Sequence, residues 1–219
     1  ENSASIDSIT IETASEDVNV TYDPASSVSA HLYGRISKNL ELKLVEEKVG
    51  NEIRIRIEYP ASLPASISTF NETKLDVTLP ASYAGKLSVK TVSGDADIPA
   101  FKLSQLTVNT VSGNVSSSAS SSDTDATTIS GNLILSSLSG KLRTNSVSGD
   151  IQATFTSFQG VEIVGESVSG STELTLPASS EFNLDFSTVS GDLDNNQKEN
   201  SSASNSIRIH SVSGDLTIN

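Results

Sequence analysis

The residues best placed to do chemistry are acids that recur at one position of a repeat. Asp95, Asp150, Asp192 and Asp215 each follow a Ser-Gly pair, and Asn114 and Asn132 hold the same place in two further copies. If the copies stack, their oxygens line one edge, and a column of oxygen donors is what Ca²⁺ takes. Lys141 and Ser171 interrupt the column, and the Gly-Gly-x-Gly-x-Asp spacing of calcium rolls is absent. Turn chemistry explains Asp and Asn here without a metal, because their side chains bond to nearby backbone. His31 and His210 are the only imidazoles and lie in different regions, so each reads as a solvated surface histidine. No Gly-x-Ser-x-Gly, phosphate loop or metalloprotease motif occurs. The sequence therefore assigns no catalytic residue and no cofactor, and it leaves those four aspartates as calcium candidates only.

The element that must position these residues is the repeat. Ser-Gly steps lie 19, 18, 9, 9, 21, 21 and 23 residues apart, which fits a unit of roughly 18–23 residues with an occasional half-unit. KLSVKTVSGDADI at 86–98, QLTVNTVSGNVSS at 105–117 and SIRIHSVSGDLTI at 206–218 show the pattern. Apolar residues stand six and four positions before the serine, a Thr or Ser two before, and Val, Ile or Leu immediately before. The apolar parity is even before the turn and odd after it. A period-2 strand switches parity only through a bend or bulge, which this pattern predicts just before Ser-Gly. The glycines Gly94, Gly113, Gly131, Gly140, Gly149, Gly170, Gly191 and Gly214 are structural turn residues, needed for positive φ or for close approach of a neighbouring backbone. The small hydroxyl two before the serine suits a narrow interior and could pair with its copy one unit away.

These are the demands of stacked β-structure. One unit cannot bury its own apolar stripe, whereas neighbours about 4.8 Å apart complete both core and hydrogen bonds. The expected fold is an all-β, repeat-built, single-domain β-helix or β-solenoid with an antiparallel N-terminal cap. A β-sandwich or β-roll is the alternative. Residues 1–80 read as antiparallel strands capping the stack, and 81–219 as the repeat body, the two forming one continuous domain. LELKLVEEKVGNEIRIRIEY is the clearest hairpin, turning at Gly50-Asn51. YPASLPASISTFNE reads as a Pro/Ser-rich connection, and the Ser-rich runs 116–126 and 195–206 read as exposed loops. The C-terminal strand ends abruptly at DLTIN, which leaves room for partner pairing or a missing cap there.

Bulk composition excludes several functions. The 219 residues carry a net charge of -13, with no basic patch for nucleic-acid phosphates or an anionic membrane surface. Without Cys there is no disulfide or thiol chemistry. No apolar run is long enough to cross a bilayer. Aromatics are 5% of the chain, while 42 Ser and 19 Thr make up more than a quarter of it, so the core must be thin and built from small residues.

The stretch LPASYAGKLSVKTVSGDADIPAFKLSQLTVNTVSGNV resembles a bacterial family of unknown function, classed as adhesins and built from repeated SGD strands. It is also similar to the head domains of autotransporter adhesins. The resemblance is strongest over residues 75–219. It implies a right-handed β-helix-like body and an extracellular or cell-envelope location, tethered through a segment upstream of Glu1. It brings no catalytic residues. The expectation for function is a non-catalytic surface or envelope module that binds a protein or glycan ligand over a repeat-built β surface. The alternatives are a sensory or regulatory module of an envelope-stress system, and a polysaccharide-acting β-helix enzyme. The chain is expected not to be an enzyme, because its acids recur at one structural position instead of clustering once.

Overall fold

The structure, a computed structural model, describes residues 6–24, 27–37, 40–60 and 71–219. The connection read at 59–72 therefore falls largely outside the described residues. The first strands in chain order are β1 (Ser8–Glu12), β2 (Asp17–Asp23), β3 (Ser29–Ile36), β4 (Lys43–Val49), β5 (Glu52–Glu58), β6 (Asn71–Pro80), β7 (Lys86–Thr91) and β8 (Ala96–Ile98). Next come β9 (Lys102–Leu103), β10 (Gln105–Thr110), β11 (Val115–Ser117), β12 (Ser120–Ser121), β13 (Asp123–Thr128), β14 (Leu133–Leu138), β15 (Lys141–Ser146) and β16 (Ile151–Phe155). The last are β17 (Glu162–Ser167), β18 (Thr172–Thr175), β19 (Glu181–Ser187), β20 (Leu193–Asn195), β21 (Lys198–Glu199), β22 (Ser206–Ser211) and β23 (Leu216–Ile218).

These strands stack into a solenoid. Seven rungs each give one strand to an 11-stranded sheet and, after the Ser-Gly corner, one to a 10-stranded sheet. The first runs β21-β19-β22-β17-β15-β13-β10-β7-β1-β5-β4 and the second β20-β23-β18-β16-β14-β11-β8-β2-β6-β3. Rungs pair parallel and in register, so that Leu87 lies beside Leu106 and Val89 beside Val108. Like therefore packs on like through the core. The columns are filled by Leu87, Leu106, Thr124 and Leu142 on one sheet and by Val115, Leu133, Ile151 and Leu216 on the other, all buried. The even parity before the corner and the odd parity after it place these side chains inside.

Several expectations require correction. Among the described residues the N-terminal region is antiparallel only at β3, which pairs with β6, and at β4, which pairs with β5. β1 and β2 are parallel rung strands, set between β5 and β7 and between β6 and β8. Alternation cannot reveal this, since a one-face-wet strand reads alike in either pairing. The hairpin at Gly50-Asn51 forms as expected, and β3 and β4 lie at the sheet edges. The Ser-rich run 116–126 is not a loop. It supplies β11, β12 and the start of β13, with Ser117, Ala119 and Ser121 buried. Small residues fit there because the core is narrow.

The C-terminal strand does not lie at an open end. β22 is inserted between β17 and β19, and β23 between β18 and β20. The end rung is β19 with β20, laid down one turn earlier in the chain, with the short β21 paired to the outer side of β19. The returning segment is clipped by Asn205, which is buried. Its Oδ1 accepts from Val161 N at 3.0 Å, and its Nδ2 donates to Phe158 O at 3.1 Å and Glu181 O at 2.9 Å. At the other end β1 and β2 likewise lie inside the rung made by β5 and β6.

Two tyrosines near the N-terminal end couple the fold to pH. Burial, and then the hydrogen bond its hydroxyl donates to Glu16, push the Tyr59 phenol up. Burial, with the Asp7 carboxylate adding to it, pushes Tyr83 further up. A raised folded-state pKa favours the neutral phenol in the native state. Its stabilisation is complete below the unfolded tyrosine value of about 10 and is lost as pH rises through the folded values. The denaturation midpoint is thus expected to fall as pH climbs above about 10. The slope should shrink in Tyr83→Phe, and a flat profile would contradict the assignment.

Candidate binding surface and the repeated corner

At the corner, three ladders run along the stack. The hydroxyl two before the serine turns inward and bonds within its own corner. Thr91 Oγ1 donates to Gly94 O at 2.9 Å, Thr110 Oγ1 to Gly113 O at 2.8 Å and Thr128 Oγ1 to Gly131 O at 2.7 Å. This corrects the expectation that these hydroxyls pair between rungs. Thr128→Val keeps the shape but leaves the Gly131 carbonyl short of a donor, which should cost about 1–3 kcal/mol in chemical denaturation. A second ladder is the serine itself. Ser112 Oγ donates to Val92 O, Ser130 Oγ to Val111 O and Ser148 Oγ to Ile129 O, each at 3.2 Å.

The third ladder is the acid column. Asn114 N donates to Asp95 Oδ1 at 2.8 Å, Asn132 N to Asn114 Oδ1 at 3.1 Å and Asp150 N to Asn132 Oδ1 at 3.0 Å. Ser171 N donates to Asp150 Oδ1 at 2.9 Å and Asp192 N to Asp215 Oδ1 at 2.8 Å. Each side-chain oxygen thus satisfies the amide of the neighbouring rung. Asp95 and Asp150 are separated by two amides, while Asp215 and Asp192 are neighbours. Among the described residues no group of three or more His, Cys, Asp or Glu is arranged to hold a metal ion. His31 stacks on Tyr33 with ring centroids 5.4 Å apart, and His210 lies exposed 3.9 Å from Asp185 near the other end of the stack.

The glycines follow from the stacking. A Cβ on Gly113 would lie 2.0 Å from Gly94 O, one on Gly131 2.0 Å from Gly113 O, and one on Gly149 2.1 Å from Gly131 O. The same contact runs through Gly170, Gly214 and Gly191, at 2.1, 2.1 and 2.2 Å from the carbonyl of the preceding rung. None of them has positive φ, which among glycines occurs at Gly34, Gly50 and Gly160. Close approach, not left-handed backbone, is the reason for glycine. Gly140 belongs to a different corner, at the far end of β14, where its Cβ would meet Ser122 O at 2.1 Å. The two 9-residue steps are therefore the outward and return halves of one rung, and Lys141 never belonged to the acid column.

The residue before the serine is turned outward, contrary to its apolar type. Val92, Val111, Ile129, Val147, Val168, Val212 and Val189 are 39–82% exposed, whereas Leu138 at the Gly140 corner is buried. The parity switch falls one residue later than the sequence pattern implied. The corner of the first rung escaped the pattern altogether. Thr13-Ala14-Ser15-Glu16-Asp17 stands where other rungs have Thr-Val-Ser-Gly-Asp, and Asp95 N donates to Asp17 Oδ1 at 3.2 Å. Glu16 is fully buried, and its carboxylate accepts from Ala14 N, Ser15 N and the Tyr59 hydroxyl.

Beside the acid column a groove of about 680 Å³ opens on the outer face of the 10-stranded sheet. Asp17, Asn19, Tyr33, Lys74, Asp95, Asp97, Asn114 and Ser116 bring polar groups to it, and Ile134 adds an exposed apolar side chain. Asn19 Nδ2 donates to Asp76 Oδ1 at 3.2 Å, and Tyr33 OH to the same oxygen at 3.4 Å. Donors and acceptors on parallel strands, with one exposed ring from the edge strand beside them, suit recognition of a polar ligand. No local pattern in the sequence marks this groove, because Tyr33 comes from the antiparallel edge strand β3.

A parallel solenoid of corner-forming repeats with an open polar groove defines a repeat scaffold. The chain belongs to the Toastrack DUF4097 family, whose family model matches residues 6–126 and again residues 100–219. No curated protein matches it. Among solved structures it is similar to a putative cell adhesion protein from Clostridium sporogenes. The identity is 12%, the match covers 100% of this chain and 95% of that one, and the TM-score is 0.41.

Proposed function

We propose that the protein is a non-catalytic recognition module of the bacterial cell surface or envelope, binding a protein or glycan ligand. The observation that carries this reading is the groove on the 10-stranded sheet, where Tyr33 stands beside a register of Asn, Asp and Ser side chains. Ligand sites combine such an aromatic surface with a few placed polar groups. The acids of the repeat support the binding reading over an enzymatic one, since they are committed to amides of neighbouring rungs.

The test is binding of the labelled protein to washed cells of its source organism, with and without EDTA. Saturable binding that survives EDTA and weakens about tenfold or more in Tyr33→Ala is expected, as for an aromatic hot spot. The exposed position of Tyr33 means that the variant should melt as the parent does. Binding indifferent to Tyr33, or absent, would overturn the groove as the site. Binding lost in EDTA and restored by Ca²⁺ would make a metal site of Asp95, Asp150, Asp192 or Asp215.

A further inference from the structure

The outward valine ladder is the feature the stacking does not need. Any residue able to follow an extended backbone could stand before the corner serine, yet seven successive rungs place Val or Ile there. Seven rungs at about 4.8 Å spacing make an uncharged aliphatic stripe roughly 30 Å long. At the apex it is flanked by the serines, six of whose hydroxyls are turned to backbone carbonyls. Beside it, between the ladder and the outward residues Thr127, Asn145 and Glu166, runs a groove of about 290 Å³.

We propose that this stripe is the interface of a parallel homodimer, in which the ladder of each copy lies in the groove of the other, rung against equal rung. A second copy carries the same period, so its ladder matches without strain along the whole length. The flanking charges select the parallel arrangement. Rotation about an axis along the stack sets the residue three before the serine opposite the residue two after it, in the same rung of the second copy. Lys90 then faces Asp95, His210 faces Asp215, Asn145 faces Asp150 and Glu166 faces Ser171. No like charges meet in the seven valine rungs; in the flanking Ala14 rung Glu12 faces Asp17, with Lys90 Nζ 2.9 Å from Glu12. In the antiparallel arrangement, acid column faces acid column, so that Asp95 meets Asp192 and Asp150 meets Asp150, and ladder rides on ladder with the grooves unfilled. Opposed like charges are disfavoured. A two-fold contact without a rung shift is also closed, so it yields a dimer and not a filament.

The narrow stripe places this contact at the small, reversible end of interface sizes. The charge of -13 on each copy opposes it, so added salt should strengthen it by screening. Sedimentation equilibrium on the whole chain should show the mass rising with concentration from 22.9 kDa toward twice that value, with the midpoint moving lower in salt. Val147→Lys, at an exposed position, should fold normally and weaken the dimer by about tenfold or more. The chain has no cysteine, so register can be read directly. Val92→Cys should form a disulfide with its own copy on mild oxidation. A disulfide formed instead between Val92→Cys and Val189→Cys proteins would show antiparallel packing and overturn the proposal. A monomer at every concentration, or a dimer indifferent to Val147→Lys and without the Val92→Cys bond, would overturn it as well.

Discussion

Gly131→Ala is expected to destabilise the protein by more than about 3 kcal/mol, beyond the usual range for an added methylene. The new Cβ would lie 2.0 Å from Gly113 O and 2.8 Å from Gly113 C. Those atoms are backbone of the next rung, held in two parallel sheets, and cannot turn aside as a flexible side chain would. The clash is relieved only by separating rungs, which breaks ladder hydrogen bonds on both sheets. A loss of that size lowers the melting temperature of a domain this long by roughly 6–12 °C or more. Gly50 gives the contrast. Its φ is +63° and nothing lies within 4 Å of its Cβ. Gly50→Ala should cost only about 1 kcal/mol, and Gly50→Asn less, since Asn tolerates left-handed backbone. Asn at position 131 should be no better than Ala. Equal melting temperatures for Gly131→Ala and Gly50→Ala would contradict the close-approach argument.

The second large effect concerns the C-terminus. Removal of residues 206–219 is expected to abolish cooperative folding. In a simple repeat array the last unit peels away for the cost of one interface. Here β22 and β23 lie between other rungs, so their loss takes away two interfaces at once. It also uncovers Ile163 and Leu174 on one side and the end rung on the other. Phe182, fully buried in β19 and edge-on to Phe158 at 6.2 Å, would lose its support along with them. Circular dichroism should show a broad transition or none, together with protease sensitivity. A truncated chain that melts cooperatively within a few degrees of the parent would contradict the enclosed position of the last rung.

The repeated corner was legible because its physics is local. Strand parity and the inward hydroxyl can each be read from one copy, whereas the Asp or Asn oxygen bonds to the amide of the neighbouring rung. Close approach at the glycines could not be separated from positive φ, since that choice depends on the rung above. The outward valines misled for a different reason: an apolar residue beside a parity switch can be assigned to either side. The order of rungs at the two ends was not legible at all. Nothing in residues 181–218 distinguishes a chain that continues the stack from one that skips a rung and returns. The TASED corner was hidden by two substitutions, Ala14 at the valine position and Glu16 at the glycine position, the latter possible where the Glu16 carboxylate meets amides and the Tyr59 hydroxyl instead of another glycine corner. Tyr33 reached the groove through edge pairing, which no local pattern encodes.

The most direct measurement of the stacked arrangement is residue-resolved amide hydrogen exchange. Asn132 and Asp150 lie on the exposed surface but donate to side chains of the preceding rung, and Leu216, three residues from the end, donates to Asp192 O at 2.9 Å. The Leu216 and Ile218 amides should exchange only with global unfolding, as slowly as the central strands, with Asn132 and Asp150 also protected. Fast exchange at Leu216 and Ile218, of the kind expected from a fraying chain end, would contradict it.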